Sequence, residues 1–330
     1  MTAWRVALCL TVLNEADNLA ALFASVGVQT RLPDEIVVVD GGSTDGTPEV
    51  IRQWQARGFP ISLLTRPGAN ISEGRNLAIA QAQAPIVAVT DAGVRLEPGW
   101  LAALVAPFDA PDPPDVVAGF FRSDPRSVFE TALGATTLPA REEVQPARFY
   151  PSSRSVAFTR RAWEQVGGYP EWLDYCEDLI FDFALEDAGL QRVFAPDAVV
   201  HFRPRTSARS FALQYYRYAR GDGKADLWRK RHAVRYATYL GLPLGLIGLR
   251  RWPWLFGPLG ALAAAAYLRR PYLRLWPALA TMSWRDRLAA LAWVPAIRAI
   301  GDVVKMAGYP VGLRWRRRHL GAIPSDHPRR

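Results

Sequence analysis

Val37-Val-Val-Asp40-Gly-Gly42-Ser43-Thr-Asp45-Gly-Thr47 is the stretch that decides how this chain is read. A run of valines without polar alternation has no face to give to water, so it forms a strand covered on both sides. The strand ends at an acid. Gly41 and Gly42 let the backbone turn tightly, and Ser43, Thr44 and Asp45 are residues that cap a following helix. Asp40 therefore stands at the carboxyl end of a buried strand, the edge where open α/β sheets bind ligands. A carboxylate there can accept a hydrogen bond from a nucleobase N–H. A plain turn and helix cap account for Asp45 but leave Asp40 unexplained.

Working outward, residues 5–13, 35–39, 61–65, 86–90 and 115–121 read as short apolar strands. Helical patterns at 17–26, 45–57, 73–83 and 98–106 fall between them. Strands alternating with helices of about ten residues predict parallel βαβ units. Asn14, Asp40 and Asp91 all fall on the ligand-binding edge. The first strand runs into Asn14-Glu15-Ala-Asp-Asn, with no G-x-G-x-x-G, and no P-loop occurs anywhere. Dinucleotide binding and P-loop chemistry are rejected on that ground. Further on, 154–158 reads as a strand, 160–167 and 177–188 as helices, 198–202 as a last strand, and 207–231 as one long helix.

Three more positions can carry chemistry. Asp91 ends the wholly apolar strand Ile86-Val-Ala-Val-Thr, where burying a charge is costly without a partner. A divalent cation bridging two phosphates is such a partner, and it would neutralise a departing diphosphate. Glu177 and Asp178 open a helix after a turn; acids there are favoured by the helix dipole, and one of them suits a general base that takes an acceptor's hydroxyl proton. His201 ends a strand and offers a second metal or diphosphate ligand, although a lone histidine is more often a satisfied core residue.

The charge is split. Residues 1–200 carry 15 Lys and Arg against 26 Asp and Glu, and residues 201–330 carry 25 against 5. The basic residues flank apolar runs at 236–249 and 252–268. That pattern favours an anionic membrane surface over nucleic acid. Each run is shorter than the ~20 residues that cross a bilayer, so a tight hairpin, a tilted span or a re-entrant pair is expected. Residues 287–312 read as an interfacial helix, with the Trp315-Arg-Arg-Arg318 cluster on lipid headgroups. With two cysteines, no signal-peptide pattern and no zinc spacing, the catalytic part is expected on the cytoplasmic face of the membrane.

Taken together, Thr11-Val-Leu-Asn-Glu15, Val37–Thr47, Gly74-Arg75-Asn76, Thr90-Asp-Ala-Gly93 and Cys176-Glu-Asp-Leu179 resemble glycosyltransferase family 2 in order and spacing, over roughly residues 5–225. That family comprises inverting enzymes of the GT-A fold. The resemblance implies an α/β fold, a mostly parallel nucleotide-binding sheet flanked by helices, as a domain over 1–231. A helical, membrane-associated region over 232–330 follows it. It implies transfer of a sugar, hexosyl in kind, from a nucleoside-diphosphate sugar, most often a UDP-sugar, to a hydroxyl on a glycan or lipid-linked acceptor, as in cell-envelope polysaccharide synthesis.

The resemblance also implies roles. Asp40 recognises the base, with Asn14, Glu15, Gly42 and Ser43 lining that pocket. Gly74, Arg75 and Asn76 approach the base and ribose. Asp91 is the first acid of the metal-binding D-x-D, for Mg2+ or Mn2+, with His201 as a further metal contact. Asp178, with Glu177 beside it, is the catalytic base. Gln214-Tyr-Tyr-Arg217-Tyr218 is similar to the Q-x-x-R-W motif of processive synthases, and Arg217 or Arg220 would neutralise the departing diphosphate. One departure is plain: the D-x-D reads Asp91-Ala92-Gly93, so its second acid is missing. Two other classes compete. A membrane-tethered nucleotide-sugar binder without turnover would not need both Asp91 and Asp178. A sugar nucleotidyltransferase would show a Gly-rich basic loop after the first strand.

Overall fold

The computed structural model describes residues 4–322. In chain order the elements are β1 (Val6–Val12), α1 (Ala16–Gly27), β2 (Glu35–Asp40), α2 (Thr47–Ala56), β3 (Ile61–Thr65), α3 (Ile71–Gln81), β4 (Ile86–Val89), β5 (Val94–Leu96), α4 (Trp100–Val105), β6 (Val116–Ser123), α5 (Val128–Thr137), β7 (Val156–Thr159), α6 (Arg160–Gln165), α7 (Glu177–Asp187), β8 (Arg192–Phe202), α8 (Ala208–Ala225), α9 (Arg229–Arg251), α10 (Pro253–Leu279) and α11 (Trp284–Arg318). They fall into two compact units. The first comprises residues up to Asp124 together with Arg141–Phe202, and the second Pro125–Ala140 together with Arg203–Ala322. The expected boundary at 231/232 lies inside the second unit, in the first turn of α9.

The first unit is an eight-stranded sheet in the order β3-β2-β1-β4-β7-β6-β8-β5. Strands β1 to β4 are parallel, as the βαβ pattern requires. Beyond β4 the sheet departs from the mostly parallel expectation. β7 runs antiparallel to both β4 and β6, β5 antiparallel to β8, and β6 parallel to β8. The sheet is therefore mixed. The four residues between β4 and β5 are too few for a parallel crossover, which takes about a dozen, and β5 joins the far edge instead.

Period-two alternation sends successive side chains of β1 and β2 to opposite faces. Leu8, Leu10, Ile36 and Val38 pack with α1 and α4 residues such as Phe23 and Trp100. Ala7, Cys9, Val37 and Val39 pack on the other face with Ile79 of α3 and Phe181 of α7. Both faces are covered, which is why these strands carry no polar alternation. Gly119 in β6 sits where a Cβ would run into Ser155 Oγ and the Ala198 carbonyl.

In the second unit, the helix expected over 207–231 ends at Ala225. Asp226 and Trp228 take left-handed φ values of 60° and 59°. The Asp226 carboxylate accepts a 2.7 Å hydrogen bond from Arg229 Nε and so closes the break. α8 and α11 meet backbone to backbone: a Cβ on Gly223, Gly308 or Gly312 would strike the main chain of the opposite helix.

Three helix-internal prolines repeat one arrangement. A proline inside a helix has no N–H for the carbonyl four residues back. Pro310 leaves the Met306 carbonyl, which accepts from Tyr236 Oη at 2.6 Å. Pro295 leaves that of Leu291, which accepts from Tyr272 Oη at 3.1 Å. Pro271 leaves that of Tyr267, which accepts from Arg298 Nη2 at 2.9 Å. In each case a side chain of a neighbouring helix supplies the missing donor.

α9 and α10 display Leu240, Leu244, Leu246, Ile247, Trp254 and Leu262, all more than half exposed. Among the described residues no helix is long and apolar enough to cross a membrane.

Candidate active site

The end of β1 and the turn after β2 form one hydrogen-bonded unit. Asp40 is buried, and its Oδ1 accepts from Ser43 N at 3.0 Å and Ser43 Oγ at 2.5 Å. Ser43 Oγ in turn accepts from Asn14 N at 2.8 Å, and Asn14 Oδ1 accepts from Thr44 N at 2.9 Å. Asn14 reaches this position with φ at 55°, and Gly42 with φ at 97°. Asp45 holds the neighbouring helix starts together: it accepts from Ala16 N at 3.1 Å and from the Thr47 hydroxyl at 2.6 Å. The Thr47 hydroxyl keeps the Asp45 carboxyl below its ordinary range. Glu15 N donates to Thr47 Oγ1 at 2.9 Å, and the Glu15 carboxylate holds Asn18 Nδ2 at 2.7 Å. Asn14 and Thr44 are exposed.

A second network joins Asp91 to the acids of α7. Arg75 is buried, and its guanidinium donates to Asp91 Oδ1 at 2.9 Å and to Glu177 Oε1 at 2.8 Å. The face of the guanidinium lies 5.3 Å from the Tyr169 ring, which stacks on Phe181 at 4.2 Å. Burial alone would lower the Arg75 pKa, and the charges of Asp91 and Glu177 more than reverse that. On its other side Asp91 Oδ2 lies 3.6 Å from Arg154 Nε.

Asp178 is the second residue of α7, after Glu177 and the cap residue Cys176, whose φ of 67° turns the chain into the helix. It is half-buried, and its Oδ1 accepts from Leu179 N at 2.9 Å. Among the described residues it makes no salt bridge. It is therefore the acid of this cluster best placed to accept a proton from outside. Asp182, one turn later, is buried with Oδ2 unpartnered among the described residues. Burial, then the Asp178 charge, raises its pKa well above the ordinary value.

The Glu177 carboxyl is pushed from its ordinary 4.5 up to about 7, first by burial and then by Asp178, with Arg75 opposing. An acid raised in this way contributes stability that is fully present below 4.5 and is lost as pH rises through about 7. The size is on the order of 3 kcal/mol. Thermal melts across pH 4 to 8 are expected to show this loss in the wild-type chain. An Glu177→Gln chain is expected to have a flatter profile, and parallel profiles would contradict the assignment.

The remaining candidate residues have these surroundings. The resemblance places Gly74, Arg75 and Asn76 near the base and ribose. Gly74 is pressed against Thr11, whose hydroxyl occupies the space of a Cβ. Arg75 is committed to the two carboxylates. Asn76 pins the loop before α7, donating from Nδ2 to the Tyr169 carbonyl at 2.8 Å and accepting at Oδ1 from Tyr169 N at 2.8 Å. His201 was expected on a metal. Its Nε2 is 2.8 Å from Glu97 Oε1. Among the described residues no three His, Cys, Asp or Glu side chains converge as a metal set. Arg217 lies exposed on α8 in the second unit, and Gln214 Nε2 donates to Tyr218 Oη at 2.8 Å.

Arg154, Tyr169 and Asp182 were missed. Asp182 had a signal, since it lies four residues from Asp178 on one helix face. Arg154 and Tyr169 had none, because both act across tens of residues.

Residues 7–159 match the family model described as Glycosyl transferase family 2. The chain is 26% identical to the succinoglycan biosynthesis protein ExoA of Rhizobium meliloti (strain 1021), over 85% of this chain and 88% of that one. It is 27% identical to an N-acetylglucosaminyl-diphospho-decaprenol L-rhamnosyltransferase of Mycobacterium tuberculosis, over 58% of this chain and 74% of that one. In fold it is similar to the mannosyltransferase PcManGT from Pyrobaculum calidifontis, solved in complex with GDP-Man and Mn2+. The TM-score is 0.59 at 21% identity, covering 96% of this chain and 88% of that one.

Proposed function

Because this chain is a glycosyltransferase of family 2, through the domain at residues 7–159, we propose that it moves a sugar from a nucleoside-diphosphate sugar to an acceptor hydroxyl in one in-line displacement. The observation that carries this reading is the Asp91–Arg75–Glu177 bridge, which ties the donor-side acid to the start of α7, where Asp178 stands. Asp178 takes the proton of the attacking hydroxyl as the new C–O bond forms. The bond to the diphosphate breaks on the opposite side, so the anomeric centre inverts. Asn14, Asp40, Gly42 and Ser43 shape the nucleoside pocket, with Glu15 at its edge.

A metal fits this site only with the donor present. Asp91 offers one carboxylate, which suits a hard cation that fills its remaining positions with diphosphate oxygens and water. Mg2+ or Mn2+ held by Asp91 would supply positive charge at the leaving group, in keeping with the Mn2+ in PcManGT.

The acceptor in this reading is a lipid-linked glycan of cell-envelope polysaccharide synthesis, reached at the cytoplasmic face of the membrane. The names of the two relatives support it, and so do the basic charge and exposed apolar side chains of α9 and α10. Full-length protein is expected to float with phosphatidylglycerol vesicles and to float poorly with phosphatidylcholine vesicles. The direct test of function is a panel of UDP- and GDP-sugars with Mg2+ or Mn2+, read as nucleoside diphosphate release. Binding without release from any donor would place the chain among non-catalytic nucleotide-sugar binders.

A further inference from the structure

We propose that Arg95 and Arg122, which flank His201 in one row across the sheet, bind a phosphate group that joins lipid to glycan in the acceptor, a role that rests on the lipid-linked acceptor of the reading above. Strand register sets the row. His201 of β8 is the partner of Arg95 across the antiparallel pair with β5, and of Arg122 across the parallel pair with β6. Residues paired in register point to the same face of a sheet. Neighbouring strands lie about 4.8 Å apart, so β5 and β6 stand roughly 10 Å apart on either side of β8. Two long side chains can close that gap on one diphosphate.

Topology puts this row at the ligand-binding edge. β7 runs antiparallel to both β4 and β6, and β6 runs parallel to β8, so β6 and β8 point the same way as β1, β2 and β4. Arg122 and His201 are each the last residue but one of their strands, at the edge that carries Asn14, Asp40 and Asp91. β5 runs the other way and enters from that edge, three residues after Asp91. The face is fixed as well. Phe121 and Val200 pack with the core of α1 and α4, so alternation sends Arg122 and His201 to the opposite face, where Phe181 of α7 packs. That helix carries Asp178, the acid that takes the acceptor's proton. The nucleoside pocket at Asn14 and Asp40 belongs to β1 and β2, on the far side of β4 from this row.

The charge pattern completes the argument. Both arginines are exposed, and among the described residues neither makes a hydrogen bond or an ion pair. Glu97, two residues after Arg95 on the same face, has its Oε1 2.8 Å from His201 Nε2 and pairs with neither arginine. The row lies in a part of the chain rich in acids: residues 1–200 carry 15 Lys and Arg against 26 Asp and Glu. A charged side chain on an edge strand guards against edge-to-edge pairing, which accounts for Arg95 on β5. It does not account for Arg122, whose strand lies between β7 and β8. A phosphate held between the two supplies the negative charge that the row lacks, and planar forks of N–H donors match its oxygens.

The test compares full-length wild-type, Arg95→Gln/Arg122→Gln and Arg95→Lys/Arg122→Lys proteins by calorimetric titration with farnesyl diphosphate, farnesol, inorganic pyrophosphate, UDP and GDP. Wild type is expected to bind farnesyl diphosphate more tightly than farnesol or pyrophosphate. The double glutamine chain is expected to lose about tenfold to a hundredfold of that affinity, the size expected for charge-assisted hydrogen bonds, and none of its affinity for UDP or GDP. The double lysine chain is expected to fall between, since it keeps the charges and loses the forks. Melting temperatures of all three are expected to agree, because neither arginine holds another part of the fold. Equal farnesyl diphosphate affinity in wild type and the double glutamine chain overturns the proposal alone. A parallel loss of UDP or GDP affinity overturns it by giving the row to the donor. Pyrophosphate bound as tightly as farnesyl diphosphate overturns the lipid acceptor and leaves a general phosphate site. Failure of wild type to bind either UDP or GDP overturns the glycosyltransferase mechanism on which the proposal rests.

Discussion

An Asp178→Asn chain is expected to fold like wild type and to transfer sugar about 10²- to 10⁴-fold more slowly, the range by which a positioned general base accelerates a reaction. Asn has the shape of Asp, and it serves as well near a helix N-terminus. The residue is half-buried and makes no salt bridge among the described residues, so its charge is not holding the fold together. The loss should therefore appear in kcat, with the donor KM little changed. Glu177 is the neighbouring acid that would compete for the role. It is buried, and its Oε1 is held by Arg75 at 2.8 Å, so it cannot reach an acceptor without disturbing that pair. Full transfer by folded Asp178→Asn protein, measured as glycosylated product under saturating donor, would sink the assignment of the base.

The largest effect on stability is expected at Arg75. Replacing it by Met keeps much of the side-chain volume but removes the one charge that Asp91 and Glu177 share at 2.9 and 2.8 Å. Removing one partner of a buried pair leaves uncompensated charge and destabilises by about 3–5 kcal/mol. Two acids depend on Arg75, and the upper part of that range is expected. Lowering the pH should recover part of the loss, because Glu177 then protonates and needs no partner. Arg75→Lys should recover only part as well, since a single ammonium cannot present two parallel donors in fixed directions. Urea unfolding of the three chains measures this. A difference below about 1 kcal/mol for Arg75→Met, the level of an exposed pair, would show that the network does not hold the site.

How much of this was legible depended on sequence distance. The turn after β2 is local, and Asp40, Ser43, Asp45 and Thr47 could be read as a strand end and a helix start because their partners lie within a few residues. Asn14 was placed on the same edge from the strand pattern alone, and the structure links it to Ser43 and Thr44. Arg75 shows the limit. It lies 16 residues from Asp91 and 102 from Glu177, and nothing in its own neighbourhood shows that it bridges them. The mixed half of the sheet failed for a related reason: β5 has three residues, and its pairing with β8 follows from a long-range contact. The break after α8 was invisible because Asp226 and Trp228 adopt left-handed backbone without a glycine to announce it.

The prolines of α10 and α11 carry a consequence for how this chain can vary. Three of the vacated carbonyls are locks for which one side chain on another helix is the key, so Pro310 and Tyr236, Pro295 and Tyr272, and Pro271 and Arg298 form pairs whose members have value only together. Losing the proline makes the hydroxyl or guanidinium redundant, and losing the donor leaves a main-chain oxygen stranded. Helices joined in this way keep their mutual register even where greasy surfaces would slide. The three pairs amount to a written address system by which α9, α10 and α11 recognise their own neighbours and no other height along them.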